Sequence, residues 1–139
     1  MNIMYAINAT DVRRYWSAVV ENAIREKPQF IKRTRDFLVL TDVKLMENLL
    51  SAYSFTAEKT IEKNGSVTLK LNELDLSENA PTEGDAKNLL GKSILNYAEE
   101  YYNQFAVLST APNEKAYVPY VLKALMIDDA EMIGASIEC

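Results

Sequence analysis

An α+β fold is what the sequence predicts, on three observations. Apolar residues recur at three- and four-residue spacing in several stretches, the signature of amphipathic helices. Between them lie short alternating or continuously apolar runs punctuated by turn residues, Asn64-Gly65 above all, as strands and hairpins require. Charge divides the chain near residue 53: residues 1–53 carry eight Lys or Arg against six Asp or Glu, whereas 54–139 carry seven against fourteen. The predicted organisation is a β-α-β-β-α unit over 1–53, net +2, and an acidic unit over 54–139, net −7, built of a β-hairpin and two helices. At 139 residues, 48% of them apolar, the chain is long enough to bury a core.

In chain order, Met4 to Ile7 reads as a short extended segment, and Asn8 as the cap of a helix that runs to about Lys27, where Pro28 stops it. Val12, Tyr15, Trp16, Val19, Ala23 and Ile24 form its expected buried stripe, with Arg13 and Arg14 off it. Phe30 to Arg33 and Phe37 to Leu40 read as paired strands joined by Thr34, Arg35 and Asp36. Since Phe37, Leu38, Val39 and Leu40 are apolar on both faces, that second strand is either central or covered by another subunit. Asp42 caps a second helix whose apolar face is Val43, Met46, Leu49, Leu50 and Tyr53.

Phe55 to Glu62 and Val67 to Leu71 pair across Asn64-Gly65, and Asn72 to Gly84 reads as a polar loop anchored by Leu74 and Leu76. Thr82 and Asp85 open a long helix through Ala86, Leu90, Ile94, Tyr97, Tyr101, Phe105 and Leu108, which Pro112 ends. A last helix covers Tyr117 to Ile127, interrupted or initiated near Pro119, and the tail from Asp128 to Cys139 is expected to fray.

Composition excludes much chemistry. With no His, the commonest general base and zinc ligand is missing, and the single Cys139 permits neither an internal disulfide nor a thiolate cage. Gly65, Gly84, Gly91 and Gly134 are too scattered for a phosphate-binding loop, and Glu99 and Glu100 are sequence neighbours that point different ways on a helix. No cofactor, metal or catalytic residue is expected, and the protein reads as a non-enzyme. No apolar run approaches a membrane span, and the start lacks a secretory pattern, so the expected location is cytoplasmic.

Two groups of residues stand out. All five arginines lie in the first 35 residues, and Arg suits planar contacts with phosphate and guanine. Arg13, Arg14, Lys32, Arg33 and Arg35 can share one side of a small sheet, so that two copies would present about ten cations to DNA. Tyr97, Tyr101, Tyr102, Tyr117 and Tyr120 form the other group. Glu99, Glu100 and Glu114 near them would repel a nucleic-acid backbone, which leaves two readings open, a core edge or a protein interface.

Ile7-Asn8-Ala9-Thr10-Asp11-Val12-Arg13-Arg14 resembles the N-terminal signature of Phd/YefM-type antitoxins, an aliphatic residue, a polar cap, a small residue, an acidic residue and then Arg. Pro28-Gln29-Phe30-Ile31-Lys32-Arg33, the apolar strand Phe37 to Leu40 and the helix opening at Asp42 are similar to that family's hairpin and following helix, although the turn is one residue shorter and lacks Gly. The likeness covers residues 4–53. It implies a homodimer, with a tetramer left open, that binds a palindromic operator and represses its own operon, the DNA contacts falling to Thr10, Arg13, Arg14 and Arg33. Trp16, Phe37, Val39 and Leu40 then belong to the dimer interface or core. Leu74 to Tyr102, with Glu83-Gly84-Asp85 before the helix, is similar to the layout of HicB-like antitoxins.

These likenesses imply a toxin as the partner of the acidic half, a small basic RNase-like protein held by charge complementarity and by the tyrosines. The alternative is a regulatory module for a small ligand or a protein that does not bind DNA. A carboxylate hydrolase would need converging Asp and Glu side chains, which no helical spacing here delivers.

Overall fold

The computed structural model describes all residues, Met1–Cys139, in two compact units that divide between Leu49 and Leu50. The secondary structure is mixed α+β with two separate three-stranded sheets. No helix is long and apolar enough to cross a membrane.

In the first unit, β1 (Ile7–Asn8) leads into α1 (Ala9–Arg14) and α2 (Trp16–Arg25), followed by β2 (Gln29–Arg33), β3 (Asp36–Leu40) and α3 (Val43–Leu49). β1 lies parallel to β2 with Ile7 opposite Ile31, and β2 pairs antiparallel with β3, Arg33 opposite Asp36 and Gln29 opposite Leu40. Several expectations need correction. Met4 and Tyr5 are exposed and outside the strand, where Ala6 N–H closes a turn onto the Ile3 carbonyl. Asn8 occupies the cap position but its side chain makes no capping bond. The expected single helix breaks at Tyr15 (φ −113°, ψ 36°), although Tyr15 N–H still reaches the Asp11 carbonyl and Val19 N–H the Tyr15 carbonyl.

Only Val12, Val19 and Ala23 of the expected stripe are buried; Tyr15, Trp16 and Ile24 are each at least half exposed. Trp16 is therefore not a core residue of its own chain. Strand β3 is an edge strand, which removes the reading of it as central. The turn is two residues, Thr34 and Arg35, with Thr34 at φ 56°. A branched side chain in that left-handed region is strained, and glycine is the residue that would adopt it freely. Helix α3 stops at Leu49, short of Tyr53.

The second unit contains β4 (Ala57–Ile61), β5 (Val67–Leu71), β6 (Ser77–Ala80), α4 (Glu83–Asn103), α5 (Phe105–Leu108), a 3-10 turn (Lys115–Tyr117), α6 (Val118–Ile127) and α7 (Ala130–Ala135). The hairpin forms, but across three residues, Lys63-Asn64-Gly65, rather than the two-residue Asn64-Gly65 turn the sequence suggests: Ile61 pairs with Val67, Glu62 N–H donates to the Ser66 carbonyl at 2.8 Å, and Gly65 alone takes the left-handed φ of +85° that ends such a turn. Strand β6 lies within the stretch read as a loop. Its inward positions are Glu78, which accepts a hydrogen bond from Ser93 Oγ at 2.6 Å, and Ala80, so it carries no apolar alternation for the sequence to display.

Thr82 Oγ1 caps α4 by accepting from Asp85 N–H at 3.1 Å. This helix covers the sheet with Ala86, Leu90, Ile94 and Ala98, all fully buried, against Leu69 and Leu71. A break at Gln104 separates it from α5, where one continuous helix is expected from sequence. Pro119 lies in the first turn of α6, which tolerates its missing N–H.

The tail does not fray. Asp129 caps α7 by accepting from Met132 N–H at 3.1 Å, Ile133 and Ile137 are buried, and Glu138 bridges to Thr56 at the start of the sheet. Helices α4 and α7 cross on two glycines. A Cβ on Gly91 would lie 2.2 Å from the Ala130 carbonyl oxygen, and one on Gly134 2.5 Å from that of Lys87. Since both obstacles are backbone, a methyl group at either position must push the helices apart. Gly91→Ala is accordingly expected to destabilise the second unit by at least about 1–3 kcal/mol, the usual cost of overpacking, read as a lowered urea midpoint.

Candidate functional site

The first unit places Thr10, Arg13 and Arg14 on α1, all exposed. Ala9 and Arg33 line a common shallow hollow of about 340 Å³ together with Ile31, Asp36 and Leu38. Arg13, four residues after Ala9, stands one turn along the same helix side, so α1 and the end of β2 bring Arg13 and Arg33 to one region. Arg35 sits at the turn. Lys32 does not join them: strand alternation sends it to the other face of the sheet, where its ammonium lies 5.7 Å from the centre of the Phe37 ring. None of the five cations makes an ion pair, while Arg25 pairs with Glu21.

Beside these cations the unit leaves much apolar surface uncovered. Its buried apolar residues are Val12, Val19 and Ala23, whereas Trp16, Ile24, Leu38, Val39, Val43 and Leu49 are each half exposed or more. Trp16, Val20 and Ile24 recur every four residues and make a second stripe on α2. Phe30, Phe37 and Val39 share one face of the hairpin; Leu40 is half-buried and paired with the buried Gln29 on the other. Full burial of a large apolar side chain yields about 1.5–3 kcal/mol, so covering the six half-exposed residues would yield about 5–9 kcal/mol per copy. That is of the order of a whole domain's stability.

In the second unit the tyrosines fall into different roles. Tyr101 is core, 1% exposed, its hydroxyl donating to the Glu114 carbonyl at 2.7 Å. Its ring lies 6.1 Å from that of Tyr97 and 5.8 Å from that of Phe105. Tyr97 is half-buried, 6.4 Å from the Tyr117 ring at 70°. Tyr102 is exposed against Phe105. Tyr120 packs on Phe55 and edge-on to Tyr53, which sequence reasoning assigned to a helix in the other unit. Burial, then the neighbouring Tyr117, Tyr101, Glu114 and Asp75, push the Tyr97 hydroxyl up to about 12. Glu114 is visible beside the tyrosines in the sequence, whereas Asp75 is not, because only the folded chain brings the loop before β6 near the long helix. No group of three or more His, Cys, Asp or Glu is arranged to hold a metal ion.

Comparison with known proteins places this chain among antitoxins. A family model described as PHD_like, antitoxin of toxin-antitoxin, RelE / RelB, TA system, matches residues 3–139. A crystal structure described as the antitoxin part of a proposed toxin/antitoxin system from Syntrophomonas wolfei subsp. wolfei superposes with a TM-score of 0.89 at 30% identity, over 96% of each chain. No curated protein matches.

The raised Tyr97 pKa has a consequence at high pH. A group that holds its proton more tightly when folded contributes stability in full below its unfolded pKa near 10, and loses it as pH rises through its folded value. Stability is therefore expected to fall between pH 10 and about 12, and Tyr97→Phe to reduce that fall, as measured by urea unfolding across the range.

Proposed function

The chain belongs to the PHD-like family of antitoxins, and from that premise we propose that it neutralises a cognate toxin by direct binding through its acidic second unit and represses its own operon as a DNA-bound homodimer through its first. In this reading the mechanism is masking, and the protein carries out no chemistry. The observation that carries it is the uneven burial of the two units. Residues 50–139 enclose a contiguous core from Phe55 to Ile137 and expose six large apolar side chains, whereas residues 1–49 bury three apolar side chains and expose twelve large ones beside unpaired arginines.

A second copy is the cover that suits the first unit. Trp16 on α2 and Val39 on the edge strand β3 supply self-complementary apolar surface, and Phe37 extends the same face. Leu40, half-buried already, braces the strand from within. Pairing by two-fold symmetry sets two Arg13–Arg14–Arg33 groups in register with a palindromic site, as half-site recognition requires. Thr10 and Arg35 flank them, and Lys32 steadies Phe37 rather than reaching DNA. Phosphate contacts give affinity and salt dependence; any guanine contact gives sequence preference. The partner of the second unit is a basic protein of the RNase-like toxin kind, since fourteen acidic residues against seven basic ones attract a cationic surface.

Replacing Arg13 and Arg14 by Ala is expected to weaken operator binding without dissociating the dimer. The double substitution removes four cations from a dimer, so the slope of log affinity against log salt should fall by roughly 3 to 4, at about 0.9 per phosphate contact. Gel shifts on the chain's own promoter across a salt series test it, and unchanged retardation would reject these residues as DNA contacts.

A further inference from the structure

We propose that Tyr97, Tyr117, Asp75 and Glu114 form the seat for an Arg or Lys side chain projecting from a basic protein partner. This rests on the toxin-binding reading above and specifies the chemistry of its contact. The two rings stand at 70° with centroids 6.4 Å apart, and both are half-buried at the edge of the core against which they pack. Beneath them the buried Tyr101 fixes the arrangement: its ring contacts Tyr97, and its hydroxyl holds the Glu114 backbone at 2.7 Å, immediately before the 3-10 turn that carries Tyr117. Asp75 and Glu114 are the two carboxylates that, after burial and the neighbouring tyrosines, raise the Tyr97 hydroxyl. Neither carboxylate makes an ion pair or a side-chain hydrogen bond.

Two uncompensated carboxylates beside two aromatic rings match one kind of group. A guanidinium or ammonium is attracted to the negative ring faces and to both carboxylates, and its alkyl stem packs on the rings. A nucleic-acid phosphate would meet like charge, and a purely apolar side chain would desolvate the carboxylates with nothing in return. A second copy of the same surface would set acid against acid. The unit's net charge of −7 favours the same class of occupant over the whole approach.

Two titrations of the full-length chain test the proposal. In the first, a short Gly-Arg-Gly peptide is added to protein labelled in its tyrosine rings, with the Lys and citrulline peptides for comparison. Selective ring shifts at Tyr97 and Tyr117 with Arg and Lys, but not with uncharged citrulline, are expected; equal shifts with citrulline, or none with Arg, would overturn the seat.

In the second, the protein encoded beside this chain is titrated into the wild type, into Asp75→Asn/Glu114→Gln, and into Glu58→Gln/Glu62→Gln, which removes equal charge on the exposed β4 side of the hairpin. The first variant is expected to lose at least tenfold in affinity and the second less than threefold, with both melting as the wild type does. Equal losses would reduce the effect to net charge and overturn the seat while leaving the toxin-binding reading intact. A wild type that neither binds that neighbour nor restores growth against it would overturn the reading itself.

Discussion

Residues 1–49 cannot bury their own apolar side chains, and the rest of the account follows from that constraint. A two-residue strand, two short helices and a hairpin enclose Val12, Val19 and Ala23 and little else. The uncovered residues are not scattered singly. They form a stripe along α2 and line an edge strand, the kind of surface that natural proteins protect or pair. The proposed second copy supplies that protection and, by the same contact, doubles the cations offered to DNA. Folding, assembly and DNA recognition in this unit then become one equilibrium, in which weak association also means weak repression.

Residues 50–139 obey a different logic. Helix α4 is the central post, covered by a three-stranded sheet and by α6 and α7, and its closest approach, at Gly91 and Gly134, is set by the absence of side chains. A self-sufficient core frees the surface for binding. The aromatic group around Tyr101 straddles the boundary between the two uses: Tyr101 anchors the core, while Tyr97, Tyr117 and Tyr102 extend from it to solvent. A rigid aromatic base under acidic groups is suited to holding a cationic partner, because rings lose little conformational freedom on binding.

Much of this was legible in the sequence. Asn64-Gly65 announced its hairpin, Thr82 its helix, and Pro28 the end of α2, because each acts through local backbone geometry. Ser77–Ala80 was missed because an edge strand with Glu78 turned inward has no apolar alternation, and the six-residue α7 because it is too short to show a period. Periodicity identified Trp16 and Ile24 as apolar but could not say whether their cover would come from the same chain. Of the basic group, strand alternation alone sends the neighbours Lys32 and Arg33 to opposite faces, a separation that the strand over Phe30 to Arg33 already implies. Among the tyrosines, helical spacing places Tyr101 on the buried stripe of α4 and Tyr102 off it, as the structure has them, but it does not tell the fully buried Tyr101 from the half-buried Tyr97 on the same stripe.

Sedimentation equilibrium of the full-length chain over a dilution series tests the central claim most directly. The account predicts a species of about 31 kDa, twice the 15.7 kDa chain, which dissociates only with loss of structure in residues 1–49. A 15.7 kDa monomer at micromolar concentration, with β1 to β3 still protected against hydrogen exchange, would contradict it.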